Sequence, residues 1–361
     1  MAEVSQVWSR IQGTLLPFLN FELDPMTEKQ ERLVCILEMV RAEDWVPNQG
    51  LSPRGRPRSD RQALVRAYVA KAFYNMGTTD ELIERLKGSK TLRRICGWER
   101  RSEIPNESTF SRAFSEFAEA RLPELVHEKL IKIYQSERLV GHISRDSTEI
   151  LAREKPVSKP KVKEKRKRKA RSANGKRQSR RVVEQQLQMS LHEILETLPK
   201  DCDRSVKVNS KGQQHGWVGY KLHIDAADGE IPITCVLTSA SVSDVRVAVP
   251  LMRMTAQRVT NLYDLMDKGY DSRALREESE RMGHVPIIDR RQIWNAPPIP
   301  EMEPARKQRY KTRTTVERVN SRLKDDFGGR NVRVRGHKKV MAHLMFGILV
   351  LAADQLLRLV T

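Results

Sequence analysis

Tyr310, Arg313, Glu317 and Lys324 stand at i, i+3, i+7 and i+14 within the stretch YKTRTTVERVNSRLK, residues 310–324. On a helix turning about 100° per residue they fall within roughly 60° of one another. Val316, Val319, Leu323 and Phe327 make a second, apolar stripe about 95° away. One face can therefore bury while its neighbour offers a carboxylate flanked by a phenol, a guanidinium and an ammonium. That mixture suits a site handling metal ions and phosphate, although a solvated charged helix has the same composition. Two upstream aspartates weigh against the blander reading. Asp146 sits inside Leu139–Ile150, which reads as a strand, and an aspartate within a core strand calls for a partner or a metal. Asp267 closes the strand-like run that starts at Asn261. Gly269 then permits a sharp turn, so Asp267 should project from a strand end.

The elements that must position these residues follow from periodicity. Residues 1–138 read as helices: Glu28–Val40, Asp60–Tyr74 with Ser59 as its cap, Thr79–Lys87, Lys90–Ile95, Thr109–Ala118 and Leu122–Ser136. Pro105 and Asn106 suggest a tight turn before the helix bearing Arg112, a helix-turn-helix pattern whose polar N-terminus could meet phosphates or base edges. From residue 139 the period becomes two. The strand holding Asp146 comes first, and Gly216–Asp225 then pairs with Ile231–Thr238 around Asp228-Gly229. A helix over Val245–Arg258, a strand ending at Asp267, a helix over Ser272–Met282 and a strand over His284–Ile288 complete the order. This is an α+β sheet with helices on its faces.

Charge is unevenly spread. The 361 residues carry 66 Lys+Arg against 46 Asp+Glu, a formal +20. Residues 153–181 hold 15 Lys/Arg and two Glu, and residues 304–339 hold 13 against three acids. These two windows exceed the whole surplus, which argues for a polyanion partner, nucleic acid before anionic membrane. The first window, with Lys165, Arg166, Lys167 and Arg168 at its centre, cannot bury a core and should be disordered until it lies on DNA phosphates. Arg54 and Arg56, in Pro53-Arg54-Gly55-Arg56-Pro57, have the look of a minor-groove hook. Cys35, Cys96, Cys202 and Cys235 lie far apart without a Cys-x-x-Cys pair, against a zinc site or disulfide framework and in keeping with a reducing cytoplasm. No segment reads as a signal peptide. The apolar run Val340–Ala353 is shorter than the ~20 residues of a membrane span and reads as a buried helix.

Asp146-Ser-Thr, Asp267-Lys-Gly-Tyr-Asp and the Tyr310-x2-Arg313-x3-Glu317-x6-Lys324 signature resemble the motifs of the DDE transposases of bacterial insertion sequences. Trp217-Val-Gly-Tyr-Lys-Leu-His and Thr238-Ser-Ala-Ser-Val-Ser-Asp244 also resemble that family's second and third strands. The resemblance runs from about residue 50 to 355, and the basic insert departs from it. It implies an all-α DNA-binding domain at 1–138 and an RNase H-like catalytic domain at 139–361. The latter would have a mixed five-stranded sheet and a disordered basic insert at about 153–215. It further implies that Asp146, Asp267 and Glu317 hold two Mg²⁺ ions, with Mn²⁺ able to substitute. Arg313 and Lys324 would then handle phosphates, and Tyr310 the DNA backbone or a flipped base. The activity would be cleavage at transposon terminal inverted repeats, freeing a 3′-OH that attacks target DNA. The partners would be double-stranded DNA and a second copy of the chain in a synaptic complex, on a bacterial nucleoid and not at a membrane. Other readings are an RNase H-like nuclease or junction resolvase and a catalytically idle, transposase-derived repressor. A tyrosine or serine recombinase is disfavoured, because no Arg/His/Tyr set has the required arrangement.

Overall fold

The computed structural model describes residues 2–23, 25–46, 59–157, 182–208, 212–290, 292 and 297–360. These form two compact units: residues 1–134 with 321–361, and residues 135–320.

The first unit is helical. It contains α1 (Ala2–Arg10), α2 (Leu16–Leu23), α3 (Glu28–Val40), α4 (Arg61–Phe73), α5 (Thr79–Gly88), α6 (Lys90–Cys96), α7 (Glu107–Glu119) and α8 (Leu122–Gln135). Capping explains most of the boundaries. Thr27 and Gln30 make a capping box on α3, Thr78 caps α5, Ser89 caps α6 and Asn106 caps α7. Asp60, not Ser59, caps α4, its carboxylate accepting from the Gln62 N–H. The tight turn expected before α7 is instead a ten-residue connection, 97–106, containing a 3₁₀ turn at Arg101–Glu103. That is longer than the 3–4-residue turn of a helix-turn-helix.

The last helix of the chain, His337–Arg358, also belongs to this unit and not with the strands. Its Phe346 joins Tyr68, Phe110, Phe114 and Phe117 in one aromatic cluster. Its Asp354 is gripped by Arg32, Arg322 and Arg358. By length and composition this helix could cross a membrane, contrary to the shorter run read from sequence, but 94% of its apolar window is buried. Burial, not length, makes it a core helix.

The second unit is built on one mixed sheet. Its strands are β1 (Leu139–Leu151), β2 (Asp203–Val208), β3 (Gln214–Ala227), β4 (Ile231–Ser239), β5 (Thr260–Met266) and β6 (Val285–Ile288). The order is β2-β3-β1-β5-β6, with β4 also paired to β3. β1 pairs antiparallel with β3 and parallel with β5, and β5 pairs parallel with β6. The sheet has six strands rather than the five expected. The extra one, β2, lies within 153–215, the stretch expected to be disordered. Within that stretch the helical spacing of Val182–Leu198 is realised as α9 (182–187) and α10 (Leu191–Thr197), the latter opened by a Ser190–Glu193 capping box. Only 158–181 and 209–211 of it fall outside the described residues.

Alternation along β1 sorts its side chains between two faces. One face meets α9, α10, α11 (Val245–Ala256) and α12 (Arg273–Arg281). Val183, Ile194, Val249, Met252, Met266, Leu275 and Ile288 form the apolar core there. The opposite face meets α13 (Pro304–Tyr310), a 3₁₀ turn at Lys311–Arg313 and the start of α14 (Thr314–Asp326). The helix read as continuous from Tyr310 is thus interrupted once, because the chain tightens where it crosses β1.

Candidate active site

The segment 309–313 runs in step with the residues of β1 that share a face. His142 stacks on Tyr263, with ring centroids 5.2 Å apart, and the Arg309 guanidinium lies 4.9 Å from the Tyr263 centroid. The Ser144 Oγ donates to the Thr312 carbonyl at 3.2 Å. Asp146 is next along this face, and it feels the Arg313 charge. Arg306 fastens α13 to the sheet edge through the Pro286 carbonyl at 3.1 Å. These contacts explain how a distant helix is brought to β1.

Register brings in the second carboxylate. Arg145 of β1 pairs with Met266 of β5. One residue further, the parallel register brings Asp146 of β1 next to Asp267, just past the end of β5, and Asp146 feels the Asp267 charge. Burial pushes the Asp146 carboxyl up to about 6. Asp267 and Asp244 add to the rise, while the Ser147 backbone N–H and Arg313 oppose it. Asp267 caps the 3₁₀ turn Lys268–Tyr270, its Oδ1 accepting from the Gly269 N–H at 2.8 Å. Gly269 makes the sharp turn expected of it, and does so without a positive φ. Its requirement is steric, since a Cβ there would lie 2.8 Å from the Asp267 Oδ1.

Glu317 is not part of a three-carboxylate cluster, and no group of three metal-ligating side chains occurs among the described residues. Its Oε1 instead accepts from Arg313 Nη2 at 2.5 Å, across one turn spanning the 3₁₀ segment and α14. Arg313 is shared. Burial opposes its charge, but Tyr310, Glu317 and Asp146 more than offset this and raise its pKa. Burial lifts the Tyr310 phenol to about 12. Arg313, 5.8 Å from the ring centroid, opposes that rise, and Asp289 and Asp267 add to it. Tyr310, Arg313, Glu317, Asp146 and Asp267 thus form one charge-coupled group. Lys324 lies two turns further along α14, beyond the limit of this unit. Val316, Val319, Leu323 and Phe327 are buried, as the apolar stripe required.

The sequence motifs contain Asp244 and Tyr270 without assigning either a role, and Asp289 lies outside them. Asp244 accepts from Ser147 Oγ at 2.7 Å and Lys221 Nζ at 3.4 Å, with His223 Nδ1 3.7 Å away. Burial would raise its pKa, but these neighbours hold it below the usual carboxylate range. Asp289 follows β6, and its N–H donates to the Met266 carbonyl. Tyr270 is fully buried below this edge. The strand periodicity around each was visible, but its partner is distant in sequence. Arg112 is exposed on α7, bonded to the Ser108 carbonyl and Thr109 Oγ1 of its own helix. Arg54, Arg56, Lys165, Arg166, Lys167 and Arg168 lie outside the described residues.

A family model described as "Transposase DDE domain" matches residues 140–352, more than half of the chain. The chain belongs to the DDE transposase family. A second model, "Transposase domain (DUF772)", matches residues 22–116. No curated protein and no solved structure matches the chain. This DDE transposase acts for an insertion sequence, and its sheet with flanking helices is the RNase H-like α+β fold of the family. Members of the family cleave and transfer DNA and generally use a divalent metal.

Proposed function

We propose that this transposase binds the terminal inverted repeats of its element as double-stranded DNA. It then cuts them and joins the freed 3′-OH to target DNA through Asp146, Asp267 and Glu317. The observation that carries this reading is the β1–β5 register, which sets Asp146 in the middle of β1 next to Asp267 just past the end of β5. Burial is the main cause of the raised Asp146 pKa, and the Asp267 charge adds to it. Two carboxylates held together at partial burial fit a hard cation with oxygen ligands, Mg²⁺ first and Mn²⁺ as its substitute. When bound, divalent ions neutralise charge on the phosphate and activate the attacking oxygen.

The chain's own residues do the rest. Arg313 holds Glu317 and screens Asp146 while no phosphate is present. A DNA phosphate can take the planar guanidinium bidentately, and Glu317 is then released toward the two aspartates. Tyr310, kept protonated by burial, contacts the DNA backbone or an unstacked base and is not a nucleophile. Lys324 and Arg112 also meet DNA phosphates. The basic segment around Lys165, Arg166, Lys167 and Arg168 supplies salt-dependent affinity, as do Arg54 and Arg56. Coordinated cutting of two ends calls for two copies of the chain.

The test uses duplexes carrying the flanking inverted repeats, incubated with Mg²⁺ or Ca²⁺, for the wild type and Glu317→Gln. Strand cleavage in Mg²⁺, absent in Ca²⁺ and reduced at least a thousandfold in Glu317→Gln, is the expected outcome. Cleavage that persists in Glu317→Gln would sink the three-carboxylate assignment. Binding without metal-dependent cleavage would favour a repressor.

A further inference from the structure

Tyr270 has a hydroxyl that the fold does not use. The side chain is 0% exposed, and its ring packs among Met266, Leu275, Val249 and Ile288. Its phenolic oxygen has no hydrogen-bond partner among the described residues. Buried hydroxyls are almost always paired, so an unpaired one calls for an explanation. A phenylalanine would satisfy the apolar pocket equally well.

The surroundings supply that explanation. The charges felt by the phenol are Asp244, Asp146, Arg145 and Asp267, three of which are acceptors. The ring also rides on the turn that begins at Asp267, since the Tyr270 N–H donates to the Asp267 carbonyl at 3.0 Å. Several oxygens at this edge are already engaged. The Asp244 Oδ1 takes Ser147 and Lys221, and the Asp267 Oδ1 takes the Gly269 N–H. The phenol O–H is a buried, uncommitted donor on the turn that begins at Asp267, within the field of carboxylates whose repulsion a cation would relieve.

We infer that the Tyr270 hydroxyl is a positioning donor for the cation-holding carboxylates, closing a hydrogen bond to one of them when the cation draws Asp146 and Asp267 together. This rests on the reading of those two aspartates as metal ligands. Groups that orient metal ligands in this way typically change metal affinity about 10–100-fold when removed.

The experiment compares the full-length wild type, Tyr270→Phe and Asp146→Asn by thermal denaturation without DNA, first free of divalent ions and then across a Mn²⁺ titration. The expected Tyr270→Phe protein melts at or above the wild-type temperature without metal, because only an unpaired hydroxyl is lost. Its Mn²⁺ concentration for half-maximal stabilisation rises about tenfold or more. A metal-free melting temperature several degrees lower would mean that the hydroxyl is structural and overturn the inference. So would a Mn²⁺ midpoint within about twofold of wild type while Asp146→Asn loses the response. A wild type that Mn²⁺ does not stabilise, or a response that Asp146→Asn retains, would overturn the metal-site reading itself and Tyr270 with it.

Discussion

Arg145 and Asp146 are neighbours in sequence and face opposite sides of β1, and the two sides treat charge differently. On the side of α11 and α12, Arg145 is 1% exposed and closed bidentately by Asp225, at 2.7 and 2.6 Å. Thr255 donates to the same carboxylate, and Thr234 bonds to Thr255. On the side of the 3₁₀ turn, Asp146 stands beside another aspartate and shares one guanidinium with Glu317 and Tyr310. A charge that builds the fold is fully satisfied within the chain. A charge kept for chemistry is left short of compensation, so that a cation or a phosphate completes it.

The largest effect should come from the satisfied side. Arg145→Met strands a buried carboxylate, which costs about 3–5 kcal/mol. Soluble yield and the urea midpoint should both collapse. A midpoint near wild type would erase the contrast between the two faces.

Asp146→Asn should do the opposite in metal-free protein. The folded carboxyl has its pKa raised from 3.8 to about 6, so folding is penalised once the group must ionise. The penalty is fully present above pH 6 and disappears as pH falls toward 4. At pH 7 the variant should be more stable by on the order of 1–3 kcal/mol, and the gain should fade by pH 4. Urea denaturation at both pH values checks the sign. Equal stability at pH 7 would mean that Arg313 already compensates Asp146.

The smallest stability effect belongs to Arg313→Gln. Its partner Glu317 is half exposed, and such pairs contribute about 0.5 kcal/mol or less. The melting temperature should barely move, while cleavage of terminal-repeat duplexes falls at least tenfold. A large loss of stability would place Arg313 with Arg145 as a residue of the fold.

Much of this contrast was legible beforehand. A strand holding an aspartate, a second aspartate just past a strand, and a helix with one carboxylate beside an apolar stripe are patterns of local periodicity. The hairpin around Asp228-Gly229 appeared as read, and the buried stripe of α14 likewise. Other features depend on contacts that no window contains. The Lys311–Arg313 turn tightens where the chain packs on β1 at Ser144. β2 forms because β3 offers it a ladder edge, and the local composition of 153–215 gives no hint of that. His337–Arg358 joins the helical unit through aromatic partners nearly 300 residues away in sequence.

By itself the sequence determined the charge types, their helical and strand spacing, and the family motifs, because those depend on residue identity and short-range geometry. Tertiary structure decided which carboxylates meet. Parallel register set Asp146 beside Asp267, and the path of 309–313 turned Arg313 onto Glu317. Strand register and long-range packing are settled by loop closure and burial across the whole chain, and no local pattern encodes them.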